Sequence, residues 1–234
     1  MSSSDTPLRP LSSSAPRSLP DAIYDALLDM LISGQMAPHE PLGIDRISEQ
    51  LQVSPTPVRE ALARLEHTGL VERQARRGYR VARPMSESNM RELVDARLVL
   101  ETGALERAMT HLPDLIPDLE HALEEHAAIG KRLMDSDGAL DPVDLREYFK
   151  RDWDFHQSIL DHCGNRYIER SVNSLSFSVH RMRQTLGVGK TDAPEAVAEH
   201  KEILEAVKTG DVEKALDALQ KHLSNVNARS SSGD

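Results

Sequence analysis

The sequence predicts a mainly α-helical chain in two parts: a small helical domain carrying one β-hairpin, then an all-α antiparallel bundle. Three observations predict it. Apolar residues recur at helical spacing from about Ser18 to Leu65, and again from Ser86 to about residue 228. Two short extended runs, Leu70–Arg73 and Tyr79–Ala82, flank a Gln-Ala-Arg-Arg-Gly turn in between. The charge also changes along the chain. Residues 1–84 hold 10 Arg and 10 acidic residues, whereas residues 85–234 hold 18 basic and 28 acidic residues and carry all of the net −10.

Residues 1–16 are Ser- and Pro-rich and are expected as a mobile arm. A helix is predicted from Ser18 to Ser33, with Ile23, Leu27, Met30 and Leu31 as its apolar stripe and Gly34 as its stop. Met36 to Leu42 holds two prolines and is expected as a loop. A short helix over Asp45–Leu51 buries Ile47 and Leu51. Ser54 is a good N-cap for the next helix, and Pro55 and Pro57 fall in its first turn, where proline is tolerated. Val58, Ala61, Leu62 and Leu65 form the buried stripe of that helix, and Gly69 ends it. Thr56, Arg59, Glu60 and Ala63 occupy its opposite arc. Helix, short helix, helix, then a hairpin with a basic tip is the order of a winged helix-turn-helix, here residues 17–84. Arg59 to Arg83 contains seven Arg against three acids. A small basic patch on an acidic chain excludes general coating by nucleic acid and permits one local contact.

Pro84 and Ser86 mark the boundary to the bundle, residues 85–228. Helices are predicted at about 86–110, 114–135, 141–162, 165–187, 193–209 and 211–228, separated by proline, glycine and Asp/Asn turns. Residues 229–234 are expected as a frayed tail. Cys163 is the single cysteine, so there is no disulfide framework and no cysteine zinc site. No apolar run reaches the roughly 18 residues of a spanning helix, and the arm lacks the apolar core of a signal peptide. A cytoplasmic protein without membrane contact is expected.

The bundle carries polar residues where its helices are apolar. Asp152 and His156 stack at i, i+4 on an arc shared with Tyr148, Phe149, Ile159, Leu160 and Cys163. His200 lies among Val197, Ile203, Leu204 and Val207, and His222 among Ala215, Ala218, Leu219, Leu223 and Val226. His200 and His222 flank the Gly210-Asp211 turn at near-equal distance. At about 1.5 Å per residue each lies roughly 15–16 Å from it, so a helical hairpin sets them level. A buried carboxylate needs a charged partner. One Asp and three His pointing into one core form a plausible ligand set for a divalent ion, with zinc first and nickel, manganese or iron behind it. The other seven histidines are expected outside this pattern. Arg97 is also on an apolar arc, with Met90, Val94, Ala104, Leu105 and Ala108, and Glu101 one turn away. Two readings stay open: an internal Arg97–Glu101 pair, or a grip on an effector carboxylate. Asn173, His180 and Arg183 flank the stripe of the bundle's fourth helix and are further candidates for lining that pocket.

The run Ile47-Ser-Glu-Gln-Leu-Gln-Val-Ser-Pro-Thr-Pro-Val-Arg-Glu-Ala-Leu-Ala-Arg-Leu-Glu, with Gly69-Leu-Val-Glu and Arg77-Gly-Tyr-Arg-Val, resembles the GntR family of bacterial transcription regulators. The resemblance spans about 65 residues. It implies DNA contacts at Arg46, Ser54, Thr56, Arg59 and a wing around Arg76, Arg77 and Gly78. Many members have Arg where this chain has Pro55, so an operator different from theirs is expected. The second part is similar to the FCD ligand-binding domain of the FadR branch, through Asp152-x-x-x-His156, Gly164-Asn165, Glu199-His200-x-x-Ile203, Gly210-Asp211 and His222. In that family these Asp and His positions bind a metal. The resemblance implies a homodimeric regulator that binds double-stranded operator DNA under control of a small organic acid, and not an enzyme. A second reading makes the metal itself the signal. A third, a metalloenzyme, lacks a His-Glu-x-x-His motif and a placed general base.

Overall fold

The computed structural model describes residues 18–75, 78–136, 140–176 and 192–231, apart from the side chains of Ser230 and Ser231. The chain divides into two compact units, Met1–Pro84 and Met85–Asp234.

In the first unit, helix α1 (Leu19–Ile32) starts where the Ser18 side chain accepts from the Asp21 N–H. Strand β1 (Pro41–Leu42), helices α2 (Ile44–Leu51) and α3 (Pro55–His67), and strands β2 (Val71–Gln74) and β3 (Gly78–Val81) follow. Gln52 ends α2 in the left-handed region, φ +54°, and so turns the chain sharply into α3. Helix α1 packs on α3, and Ile23, Leu27 and Leu31 of the one and Val58, Ala61, Leu62 and Leu65 of the other are all buried. The three strands are antiparallel in the order β1-β3-β2, with Val71 opposite Val81, Arg73 opposite Tyr79 and Pro41 opposite Arg80. The expected loop Met36–Leu42 therefore contains a strand. A two-residue pairing carries no periodic signal, and Pro41 is tolerated because β1 is an edge strand.

The second unit is helical: α4 (Glu87–Ala108), a 3-10 turn (Met109–His111), α5 (Leu112–Met134), α6 (Pro142–His162), α7 (Arg166–Asn173), α8 (Ala193–Lys208) and α9 (Val212–Ser231). Ser86, Asp141 and Asn165 cap α4, α6 and α7 by accepting from backbone N–H groups of the first turn. Helix α5 packs on α6 and α8, and α9 on α4 and α8. Leu105, Leu115, Leu119, Phe155, Ile159, Ile203, Val207 and Leu219 share one core. Two boundaries differ from expectation. The helix anticipated over 165–187 stops at Asn173, and its continuation over 177–187 lies outside the described residues. The last helix runs on to Ser231, because Arg229 is anchored in the fold and not part of a frayed tail. The arm 1–16 and residues Arg76, Arg77, His180 and Arg183 also lie outside the described residues.

Candidate functional site

In the first unit, Ser54, Thr56 and Arg59 are all exposed at the start of α3. Ser54 precedes α3 without using its hydroxyl as a cap, so that group remains available. Gly78 is exposed and has φ +82°, a conformation that a side chain would strain. Arg59 lines a concavity with Ile44, Glu66, Arg73, Gln74, Ala75, Gly78 and Tyr79. Arg73, exposed on β2, is a cation that the sequence reading left out. Arg46 is partly spent within the fold: its Nη2 donates to Glu40 at 3.3 Å and to the Pro41 carbonyl at 3.4 Å.

In the second unit, three helices bring the anticipated Asp and His residues together. Asp152, His156, His200 and His222 are all buried. The ring centroids of His156 and His222 are 5.2 Å apart, those of His156 and His200 5.1 Å, and those of His200 and His222 4.6 Å. One ligand atom from each of the three lies within 4.8 Å of the others. A second such group joins His126, Asp152 and His200. His126 corrects the expectation that the other seven histidines stand apart. It shares a face of α5 with the buried Leu119, Ala122, Ile129 and Leu133, a spacing that was legible. Close approach of α5 and α8 delivers it: a Cβ on Gly130 would lie 3.3 Å from the Ala193 Cβ and 3.5 Å from Val197.

Each imidazole is held by its Nδ1 side. His222 Nδ1 donates to Glu199 Oε2 at 2.9 Å. His156 Nδ1 lies 2.8 Å from Glu101 Oε2, close but outside good hydrogen-bond geometry. His200 Nδ1 lies 3.1 Å from His126 Nδ1. Carboxylates on Nδ1 keep the proton there and leave Nε2 with a bare lone pair. Among the described residues, Nε2 of His156, His200 and His222 is buried without a hydrogen-bond partner. Three unsatisfied nitrogens in one core cost about 1–3 kcal/mol each unless something accepts their lone pairs. This donor set fits a divalent ion: neutral imidazoles and one carboxylate, with carboxylates behind two of the rings. Phe155 stacks on His200 at 4.1 Å with planes 9° apart and fixes that ring.

For His200 and His222 the electrostatics favour the neutral ring. Burial, with His222 beside it, holds His200 well below the ordinary imidazole value. Burial likewise lowers His222, against the pull of Glu199. Burial alone would raise Glu101, but Arg97 and then His156 outweigh it and hold the carboxyl at about 2. Glu199 is also held at about 2: burial opposes, and hydrogen bonds from His222, Arg229 and Asn225 win.

Arg97 is 1% exposed and donates through Nε to Glu101 at 2.6 Å, so the internal pair is present. Its Nη2 is buried and has no partner among the described residues. Its guanidinium lies 5.8 Å from the Trp153 ring centre. Asn173 accepts from Trp153 Nε1 at 3.3 Å, which engages its amide oxygen within the fold.

A winged domain with an exposed recognition helix, joined to a helical domain built around a buried polar centre, defines a DNA-binding regulator. The chain belongs to the bacterial regulatory proteins of the gntR family, whose pattern matches residues 19–81, and carries an FCD domain over residues 92–225. It is 30% identical over 203 residues to an HTH-type transcriptional regulator in an unstable DNA locus of Streptomyces ambofaciens, spanning 86% of this chain and 80% of that one. It is 27% identical over 205 residues to the gluconate operon transcriptional repressor of Bacillus licheniformis, spanning 85% and 79%. The solved structure of E. coli McbR/YncC shares the fold with a TM-score of 0.69 at 20% identity, covering 93% and 99% of the two chains. The chain is a transcription regulator and not an enzyme. No helix among the described residues is long and apolar enough to cross a membrane.

Proposed function

We propose that this regulator is a homodimeric repressor whose operator affinity is set by a small carboxylate, held at a divalent ion bound by Asp152, His156, His200 and His222. The observation that carries the reading is a group of three buried histidines, each with an unpartnered Nε2 and with one ligand atom within 4.8 Å of the others, beside a buried aspartate. A bound ion would supply Lewis acidity towards a carboxylate oxygen. The remaining work falls to the chain's own residues. Glu101 and Glu199 hold the tautomers of His156 and His222. Arg97 offers its Nη2 N–H groups to the acid's second oxygen, and Trp153 beside it supplies a flat apolar wall. Asn173 and Arg183 complete the effector set. At the operator, Ser54, Thr56 and Arg59 read the groove from α3, while Arg46, Arg76, Arg77 and Gly78 set position on phosphates. A relative that represses a gluconate operon is consistent with an organic acid as the signal.

Linkage requires the acid to bind the DNA-competent and DNA-incompetent states unequally, and such couplings amount to about 5–150-fold in affinity. Fluorescence anisotropy on an operator duplex, with zinc-loaded protein and a panel of small carboxylates, should show one acid shifting Kd within that range. Asp152→Ala and His222→Ala should bind the operator normally and lose the shift. Full effector response in either variant defeats the reading. A shift produced by zinc with no acid present makes the metal the signal instead.

A further inference from the structure

The metal reading uses three of four clustered imidazoles and leaves one over. His126 is fully buried on α5. Its Nδ1 lies 3.1 Å from Nδ1 of His200, and its ring centre 5.0 Å from that ring, inclined at 49°. Its Nε2 lies 3.8 Å from Asp152 Oδ1, and the Nε2 of His200 lies 3.9 Å from the same oxygen. By distance alone His126 is as good a fifth ligand as any.

The protons decide otherwise. Two imidazole nitrogens at hydrogen-bond distance share one proton: one donates and the other accepts. A neutral ring that accepts at Nδ1 carries its own proton on Nε2 and has no lone pair there. A ring that ligates through Nε2 must carry its proton on Nδ1. If both rings ligated through Nε2, two N–H groups would face each other at 3.1 Å. Only one of the pair can present a bare Nε2. His200 is the one whose ring converges with His156 and His222.

We infer that His126 is not a metal ligand but a positioning residue: it accepts the Nδ1 proton of His200, fixes that ligand's tautomer, and turns its own Nε2–H towards the Asp152 carboxylate. The three ligand rings are thus supported unequally. His156 and His222 lean on carboxylates, and His200 leans on a neutral imidazole, which makes it the least basic of the three. The direct support is to His200 on α8; Asp152 on α6 lies 3.8 Å from the His126 Nε2, near enough to orient that N–H but beyond a direct hydrogen bond.

The inference rests on the metal reading, and the test separates the two. Zinc uptake is measured by chelator competition, and the imidazoles around zinc are counted by X-ray absorption. Long-range proton–nitrogen NMR on the metal-free protein assigns the tautomers. Wild-type protein should bind one zinc with three imidazoles, with the His126 proton on Nε2 and the His200 proton on Nδ1. His126→Asn, whose amide oxygen can replace the accepting Nδ1, should keep three imidazoles and most of the affinity. His126→Phe should lose about 10–100-fold in affinity, as support-shell changes do, and still show three imidazoles. Should His126→Phe fail to fold, His126→Asn and the NMR carry the test. Four imidazoles in the wild type and three in His126→Asn overturn the inference, as does a His126 proton on Nδ1. If folded wild type and both variants all take up no zinc, the metal reading fails and the inference falls with it.

Discussion

At the scale of single residues, the second unit buries an unusual set: four histidines, two glutamates, two aspartates and an arginine. Their titration sets a pH dependence whose direction is fixed. A carboxyl with a folded pKa below its unfolded value stabilises the fold above the unfolded value, and the gain drains away as pH falls to the folded one. Glu101 and Glu199 therefore act between 4.5 and about 2. The same sign holds for His200 and His222, whose folded values lie below 6.5: there the unfolded chain takes up protons first, so stability drops as pH falls below that value. Urea unfolding of metal-free protein should give a lower midpoint at about pH 5.5 than at about pH 7.5, and an unchanged midpoint would contradict neutral buried rings. Asp152, His156, His200 and His222 were legible because each interrupts an apolar arc at helical spacing. The support shell was not. Glu199 adjoins His200 in sequence yet holds His222, and Glu101 sits one turn from Arg97 yet also meets His156. Spacing along one helix does not say which neighbour it faces. His126 did interrupt an apolar arc, but α5 has no second ligand-type residue on that face to draw attention to it.

At the scale of elements, helix starts differ in what their first polar side chain is for. Asn165 accepts from the N–H groups of Tyr167 and Ile168, and so holds the first turn of α7. Ser54 occupies the same position before α3 and makes no such bond. Asn165→Ala should cost about 1 kcal/mol of stability, as lost caps do. Ser54→Ala should change stability by under about 0.5 kcal/mol. On the proposed reading it should instead weaken operator binding. Denaturant midpoints and operator anisotropy on both variants separate the two roles, and a stability loss in Ser54→Ala matching that of Asn165→Ala would contradict the distinction. The long helices were readable from their caps, periodicity and glycine stops, as at Gly164 and Gly210, both with positive φ. What escaped was short: β1 has two residues, and the early end of α7 at Asn173 carries no proline or glycine.

At the scale of the whole molecule, the acidic excess lies entirely in residues 85–234, while the first unit is neutral with a local run of arginines. On the proposed reading, operator contacts belong to the first unit by charge as well as by fold. Within the second unit, Glu199 is a junction. It accepts from His222, from Asn225 at 2.8 Å, and from both terminal nitrogens of Arg229 at 2.7 and 3.0 Å. Arg229 also reaches Asp192 at 3.3 Å, which in turn accepts from Tyr148. Arg229→Met should leave the chain folded and weaken zinc binding about 10-fold, by loosening the carboxylate behind His222. Chelator competition checks it, and an unchanged affinity would detach the last helix from the centre. The same junction gives the last helix a chemical meaning. The final turn of α9 is tied, 30 residues back along the chain, to the carboxylate behind His222. On the proposed reading, cutting that helix short before Arg229 would not be a neutral trim: it would edit the surroundings of the buried centre from the rim of the bundle.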